Sequence, residues 1–89
     1  MTSYIVSYDL NFPGQDYSDL HDAIKSYGWW WHHLDSTWII KTDQSAEVVR
    51  DYLVAFIDSN DKLLVAELTG AGAWAGFNSK GSKWLSDNL

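Results

Sequence analysis

An α+β fold is predicted for this chain, in the order β-α-β-β-α-β. Its four strands would form one antiparallel sheet with two helices on one face, followed by a short C-terminal helical segment. Three observations predict it. Two segments place apolar residues at helical spacing, four short runs are rich in strand-forming residues, and turn residues punctuate the joins. The chain has 89 residues, a length that suits one domain.

The first strand is read in SYIVSY (3–8), where Tyr4, Val6 and Tyr8 alternate and Asp9 closes the run. Pro13-Gly14 then marks a turn. Over 17–27, Leu20, Ala23, Ile24 and Tyr27 fall at i, i+3, i+4 and i+7, one apolar face of a helix. Asp16 or Ser18 is placed to cap its start and Gly28 to end it.

Residues 29–34 and 37–42 read as two strands joined tightly at Asp35-Ser36, a hairpin. Strand alternation puts Trp29, Trp31 and His33 on one face and Trp30, His32 and Leu34 on the other. In the second strand Trp38 and Ile40 share a face opposite Thr37, Ile39 and Lys41.

A second helix is expected over 45–57. Val49, Tyr52, Leu53 and Phe56 have helical spacing, Ser45 is the N-cap, and Glu47 suits the positive end of the helix dipole. DSND (58–61) is a turn. KLLVAEL (62–68) is a fourth strand, and its near-continuous apolar run marks it as an inner one. Small residues follow in GAGAWAGF, then an amphipathic segment with Trp84, Leu85 and Leu89 on one side.

This order is the split βαβ, ferredoxin-like arrangement. Residues 1–70 would form that domain. Residues 71–89 would be an appendix packing on the chain's own sheet or on a partner's. Two helices cover only one sheet face, yet both faces of the hairpin carry large apolar side chains. An uncovered face bearing tryptophan is too apolar for a monomer in water. The C-terminal segment, a second copy of the chain or a ligand must cover it. Trp29, Trp31, Trp38, Trp74 and Phe77 are therefore the candidates for a binding or dimer interface.

Composition narrows the function. Six tryptophans, five tyrosines and three phenylalanines are a large aromatic load, one way for a small core to become adequate. With no cysteine, disulfides, thiolate metal sites and cysteine catalysis are excluded. No apolar run approaches the ~20 residues that cross a bilayer, and the N-terminus does not read as a signal peptide. A cytoplasmic protein with no membrane partner is expected. Six basic against twelve acidic residues give a net charge of −6, and the basic ones are dispersed. Tight, non-specific nucleic-acid binding is disfavoured, because it needs cations to displace counterions from phosphates.

The motifs also carry a resemblance. Ser7 to Leu10 (SYDL), Trp30 to Ile39 (WWHHLDSTWI), Asp58 to Asp61 (DSND), Leu63 to Gly70 and Trp74 to Phe77 together span the chain nearly end to end. The pattern resembles a set of small uncharacterised bacterial and phage proteins loosely labelled SinR-like. It is similar more distantly to the small CRISPR-associated adaptation proteins, endoribonuclease-like partners of the spacer integrase. The VapD-type toxins share the same general plan. The resemblance implies a ferredoxin-like homodimer. In the CRISPR-associated relatives an aspartate ending the first strand is assigned metal binding for phosphodiester cleavage, while some members act only as structural adaptors. Only Asp9 carries that role over. The basic residues that grip nucleic acid in those relatives have no counterpart, and Ala71 stands where the SinR-like pattern often has an acid.

Asp9 thus has two readings: a Mg²⁺ or Mn²⁺ ligand shared across a dimer axis, or a residue that starts the turn before Pro13-Gly14. His32 and His33 are adjacent on a strand and point to opposite faces, so they make a poor metal pair. His33 is a candidate general base beside Asp9, or a satisfied polar group. DSND lacks the glycine and terminal glutamate of a calcium loop. GAGAWA in 70–75 has the spacing of a dinucleotide fingerprint without the βαβ unit it requires. The favoured function is a homodimeric, CRISPR-adaptation-protein-like interaction module, non-catalytic, that binds a protein or small-nucleotide partner in phage defence or its suppression. The alternative is a Mg²⁺- or Mn²⁺-dependent endoribonuclease or phosphodiesterase using paired Asp9.

Overall fold

Alternation along the first strand decides the main core. In the computed structural model, which describes residues 1–11 and 17–89, β1 (Thr2–Asp9) turns Tyr4, Val6 and Tyr8 to one face, and all three are buried. Helix α1 (Ser18–Lys25) lays Leu20, Ala23 and Ile24 on them. Its N-cap position is Tyr17, without a side-chain capping bond. The expected cap Asp16 and the Pro13-Gly14 turn lie outside the described residues. The end follows the expectation. Gly28 adopts φ +85°, and its N–H donates to the Lys25 carbonyl at 3.0 Å. That left-handed position favours a residue without Cβ.

The strands β2 (Trp30–Leu34) and β3 (Thr37–Thr42) form the expected hairpin across Asp35-Ser36. No described residue other than glycine has positive φ, so this two-residue turn is neither of the mirror-image types that match strand twist. The ladder compensates. Trp31 pairs with Ile39 but Leu34 pairs with Thr37, so an irregularity adds one residue to β2 between them. This corrects the expected alternation. Leu34 lies on the face of Trp31 and Ile39, not on that of Trp30 and His32, because the inserted residue shifts the parity of everything after it.

Helix α2 (Ala46–Leu53) starts as expected, with the Ser45 hydroxyl accepting from the Val48 N–H at 3.2 Å. It ends in a tighter 3₁₀ turn over Val54–Phe56. Val49 and Leu53 are fully buried against the sheet, whereas Tyr52 stays exposed. Strand β4 (Lys62–Glu67) follows. The sheet is antiparallel with order β2-β3-β1-β4. The apolar run in β4 therefore does not mark an inner strand: β4 is at the edge. Leu63 and Val65 pack toward the helices, while Leu64 stays more than half exposed.

The opposite face is roofed by the chain's own tail. Helix α3 (Ser79–Asn88) is capped by Asn78, whose side chain accepts from the Gly81 N–H at 2.8 Å. Leu85 packs on Trp31 and Ile39, flanked by Leu68, Phe77, Trp84 and Leu89. The Trp31 indole N–H donates to the Gly81 carbonyl at 3.1 Å. A Cβ at position 81 would lie 3.3 Å from the His33 ring, so glycine allows this close approach. Ser3 Oγ donates to the Asn88 carbonyl at 2.6 Å, and Lys41 Nζ reaches Asn88 Oδ1 at 3.3 Å, tying the helix end to β1 and β3. Among the described residues no helix is long and apolar enough to cross a membrane.

Two substitutions test this packing. Trp38 is 1% exposed at the centre of the larger core. Trp38→Ala is expected to cost about 3–5 kcal/mol in urea unfolding, whereas Trp29→Ala, at 53% exposure, changes stability by no more than about 0.5 kcal/mol. The buried Tyr27 hydroxyl has no hydrogen-bond partner among the described residues. Tyr27→Phe is expected to raise stability by about 1 kcal/mol, since it removes an unpaired buried polar atom. A loss in that variant would mean the hydroxyl is satisfied.

Candidate functional site

The sheet face under α3 is only partly covered, and its open part brings together Trp31, Trp74 and Phe77 of the residues singled out from the sequence. In register, Ile5 sits opposite Ile39 and Ala66, Ser7 opposite Thr37 and Leu64, and Asp9 opposite Lys62. All these side chains share the face of Trp31, since cross-strand partners point the same way. Over it lies an apolar concavity of about 350 Å³, walled by Trp31, Leu34, Ile39, Trp74, Phe77 and Leu85. Phe77 meets the Trp31 ring edge-on, centroids 4.9 Å apart. Leu34, Leu64 and Trp74 remain exposed at the rim.

The tryptophan candidates differ in exposure. Trp31 and Trp38 are 3% and 1% exposed and are taken up in the chain's own two cores. Trp29 is exposed just before β2, where its carbonyl accepts from the Lys41 N–H at 3.1 Å.

Asp9 is exposed at the end of β1. It borders a shallow hollow of about 250 Å³ with Ser7, Lys62 and Leu64. Its cross-strand partner is Lys62, a cation rather than a second carboxylate. Among the described residues no three His, Cys, Asp or Glu side chains come together to hold a metal ion. His33 is on β2, two strands from β1, its ring 5.1 Å from that of Trp31 and 6.2 Å from that of Phe77, beside the start of α3. The structure does not bring Asp9 and His33 into one cluster.

Sequence reasoning missed a polar chain in the larger core. The Trp38 indole N–H donates to Tyr8 Oη at 2.9 Å, and Tyr8 Oη lies 3.2 Å from His21 Nε2. The Tyr8 hydroxyl thus links the indole to the imidazole. Burial pushes the Tyr8 hydroxyl above its ordinary pKa, and the Trp38 bond offsets part of that rise. His32 stacks on the other side of this group, its ring 3.7 Å from Trp38 and within 9° of parallel. This chain locks rings in place beside α1. Only the contact across three elements reveals it, and no local spacing encodes that contact.

DSND behaves as the expected turn. Asp61 accepts from the Asp58 N–H at 2.8 Å and from the Asn11 N–H at 2.8 Å, with the Tyr17 hydroxyl at 3.1 Å. These bonds consume the carboxylate that a calcium reading would need.

No family model matches the chain, and no solved structure matches it.

The Asp61 bonds predict a pH dependence. Desolvation alone would raise its pKa, but the Asn11, Asp58 and Tyr17 hydrogen bonds together outweigh it and hold the carboxyl below its ordinary value. A depressed folded pKa contributes stability that is present above the unfolded value and lost as pH falls through the folded one. Wild type is therefore expected to exceed Asp61→Asn in urea midpoint at neutral pH by a constant margin. That margin closes on acidification below the ordinary carboxylate range. A margin independent of pH would show that the charge contributes nothing.

Proposed function

We propose that this chain is a ferredoxin-like, non-catalytic interaction module that works as a homodimer, joined along β4. The observation that carries this reading is the free edge of β4 beside the half-roofed apolar face. Among the described residues no strand lies beyond β4. Read from that edge, the order is β4-β1-β3-β2, with β1 and β2 straddling β3, which supports the split βαβ assignment. The resemblance to CRISPR-associated adaptation and SinR-like proteins supplies the setting, phage defence or its suppression.

A second copy is the occupant argued for because the edge is self-complementary. The Leu68 N–H donates to the Ser3 carbonyl, so the backbone groups of Leu64 and Ala66 also point inward to β1. Those of Leu63, Val65 and Glu67 point outward, unpaired by any described strand. An antiparallel twofold centred on Val65 would pair Leu63 with the partner's Glu67 and satisfy all three residues in both copies. It would also extend the exposed Leu64 row across the join. Natural proteins blunt such edges unless they use them.

This geometry argues against the paired-Asp9 enzyme. Each Asp9 lies one strand in from the edge, opposite Lys62. Three strand spacings of about 4.8 Å and a stagger of six residues at about 3.3 Å would hold the two carboxylates about 25 Å apart. One ion or ion pair does not bridge that gap.

Sedimentation velocity over a concentration series tests the reading. Wild type is expected to dimerise. Glu67→Pro removes an outward N–H at a position where an edge strand tolerates proline. Leu64→Lys puts a charge on the extended apolar row. Each is expected to weaken the dimer by about tenfold or more, about 1.4 kcal/mol, while keeping the folded spectrum. A wild type that stays monomeric at millimolar concentration rejects the reading. With Mg²⁺ or Mn²⁺ and RNA or DNA, wild type and Asp9→Ala are expected to behave alike. Hydrolysis that Asp9→Ala abolishes would restore the enzyme.

A further inference from the structure

We propose that the cleft at the free edge of β2 binds a nucleoside 5′-monophosphate, its base against the Trp30 and Trp84 indoles and its phosphate against the Lys80 ammonium. This edge is opposite to β4 in the sheet, so the inference does not rest on the dimer.

The cleft has a volume of about 400 Å³ and wraps the strand edge, with Trp30 and His32 from one sheet face and Trp31 and His33 from the other. Gly28 closes one end, and Lys80 and Trp84, one helical turn apart on α3, close the other. That size is at the lower end of small-molecule pockets, about 300–1,000 Å³. It suits one nucleotide rather than a longer ligand.

Its chemistry is unlike the rest of the surface. The chain has twelve acidic residues and a net charge of −6, yet among the described residues no carboxylate lines this cleft. One cation, Lys80, stands in its wall; a second, Lys25, is outside the lining with its Nζ 5.3 Å from the Trp30 ring centroid. Flat rings offer π-faces on which a base stacks. A single lining ammonium suits one phosphate group and not a polyanionic strand, which the −6 charge repels.

The strand edge adds hydrogen bonding. The Lys41 N–H donates to the Trp29 carbonyl, so the neighbouring Trp30 turns its own N–H and C=O outward, along the edge where the cleft lies. One donor beside one acceptor is the pattern that the edge of a nucleobase complements. The site is also pre-formed. The Trp31–Gly81 hydrogen bond and the His33 ring against Gly81 hold α3 on β2, so little ordering is needed on binding.

Titration of wild-type protein with AMP, adenosine, inorganic phosphate and a short oligoadenylate, followed by intrinsic fluorescence and two-dimensional NMR, tests the inference. AMP is expected to shift the indole N–H signals of Trp30 and Trp84 and the backbone amide of Trp30, saturably. Adenosine is expected to bind about tenfold more weakly, for loss of the phosphate contact. Phosphate alone is expected to leave the indoles unmoved. Lys80 is exposed, and an acid in the first turn suits the helix dipole, so Lys80→Glu keeps the fold. It is expected to weaken AMP about tenfold or more and leave adenosine unchanged. Leu64→Lys is expected to bind AMP as wild type does. No saturable AMP response, shifts confined to another surface, or Lys80→Glu without effect on AMP would each overturn the proposal. Tighter binding of oligoadenylate than of AMP would overturn the mononucleotide assignment.

Discussion

Large rings on both faces of one hairpin oblige this chain to build two cores on a single sheet. Trp38 and Ile40 point one way and Trp31 and Ile39 the other. Leaving either set in water would expose several large side chains at once, each of which gains about 1.5–3 kcal/mol or more from full burial. Helices α1 and α2 satisfy the first set. Helix α3 with Leu68, Phe77 and Leu89 serves the second, and they cover Trp31 but leave part of the face open. The exposed Leu34, Leu64 and Trp74 are what remains uncovered.

The docking of α3 also shapes the β2 edge. Gly81 is close enough to His33 that a larger residue would press on the ring, and its carbonyl receives the Trp31 indole. With the helix fixed there, Lys80 and Trp84 stand beside Trp30 and His32. The same contact that completes the smaller core thus creates the cleft. Stability and the proposed binding site share one anchor, whereas the proposed dimer edge at β4 is on the other side of the sheet.

Asp9 shows why a motif residue needs its neighbours. At the end of a strand it has the exposure that a metal ligand requires, but the residue facing it is Lys62. That partner is a cation, not a second carboxylate to share an ion. His33, its suggested companion, is exposed on β2, two strands away, with its ring against Trp31 and Phe77. The chemistry read from residue types alone therefore separates into two unconnected places.

What the sequence determined by itself was local. Alternation in SYIVSY, helical spacing in 17–27 and 45–57, Ser45 as a cap, Gly28 as a stop and the tight Asp35-Ser36 joint all follow from near-neighbour geometry. The need for a cover over the second sheet face was also legible, because pattern alone shows large side chains on both faces. Tertiary structure decided the rest. It put β4 at the edge although its apolar run reads as interior, since residue composition reports burial of faces and not the pairing of edges. It moved Leu34 across the sheet, because a bulge answers the twist demanded by a turn without positive φ. It joined Tyr8, His21 and Trp38, and Trp30, Lys80 and Trp84, from segments far apart in the chain. Contacts of that kind depend on how whole elements stack, and no short window of residues carries that information.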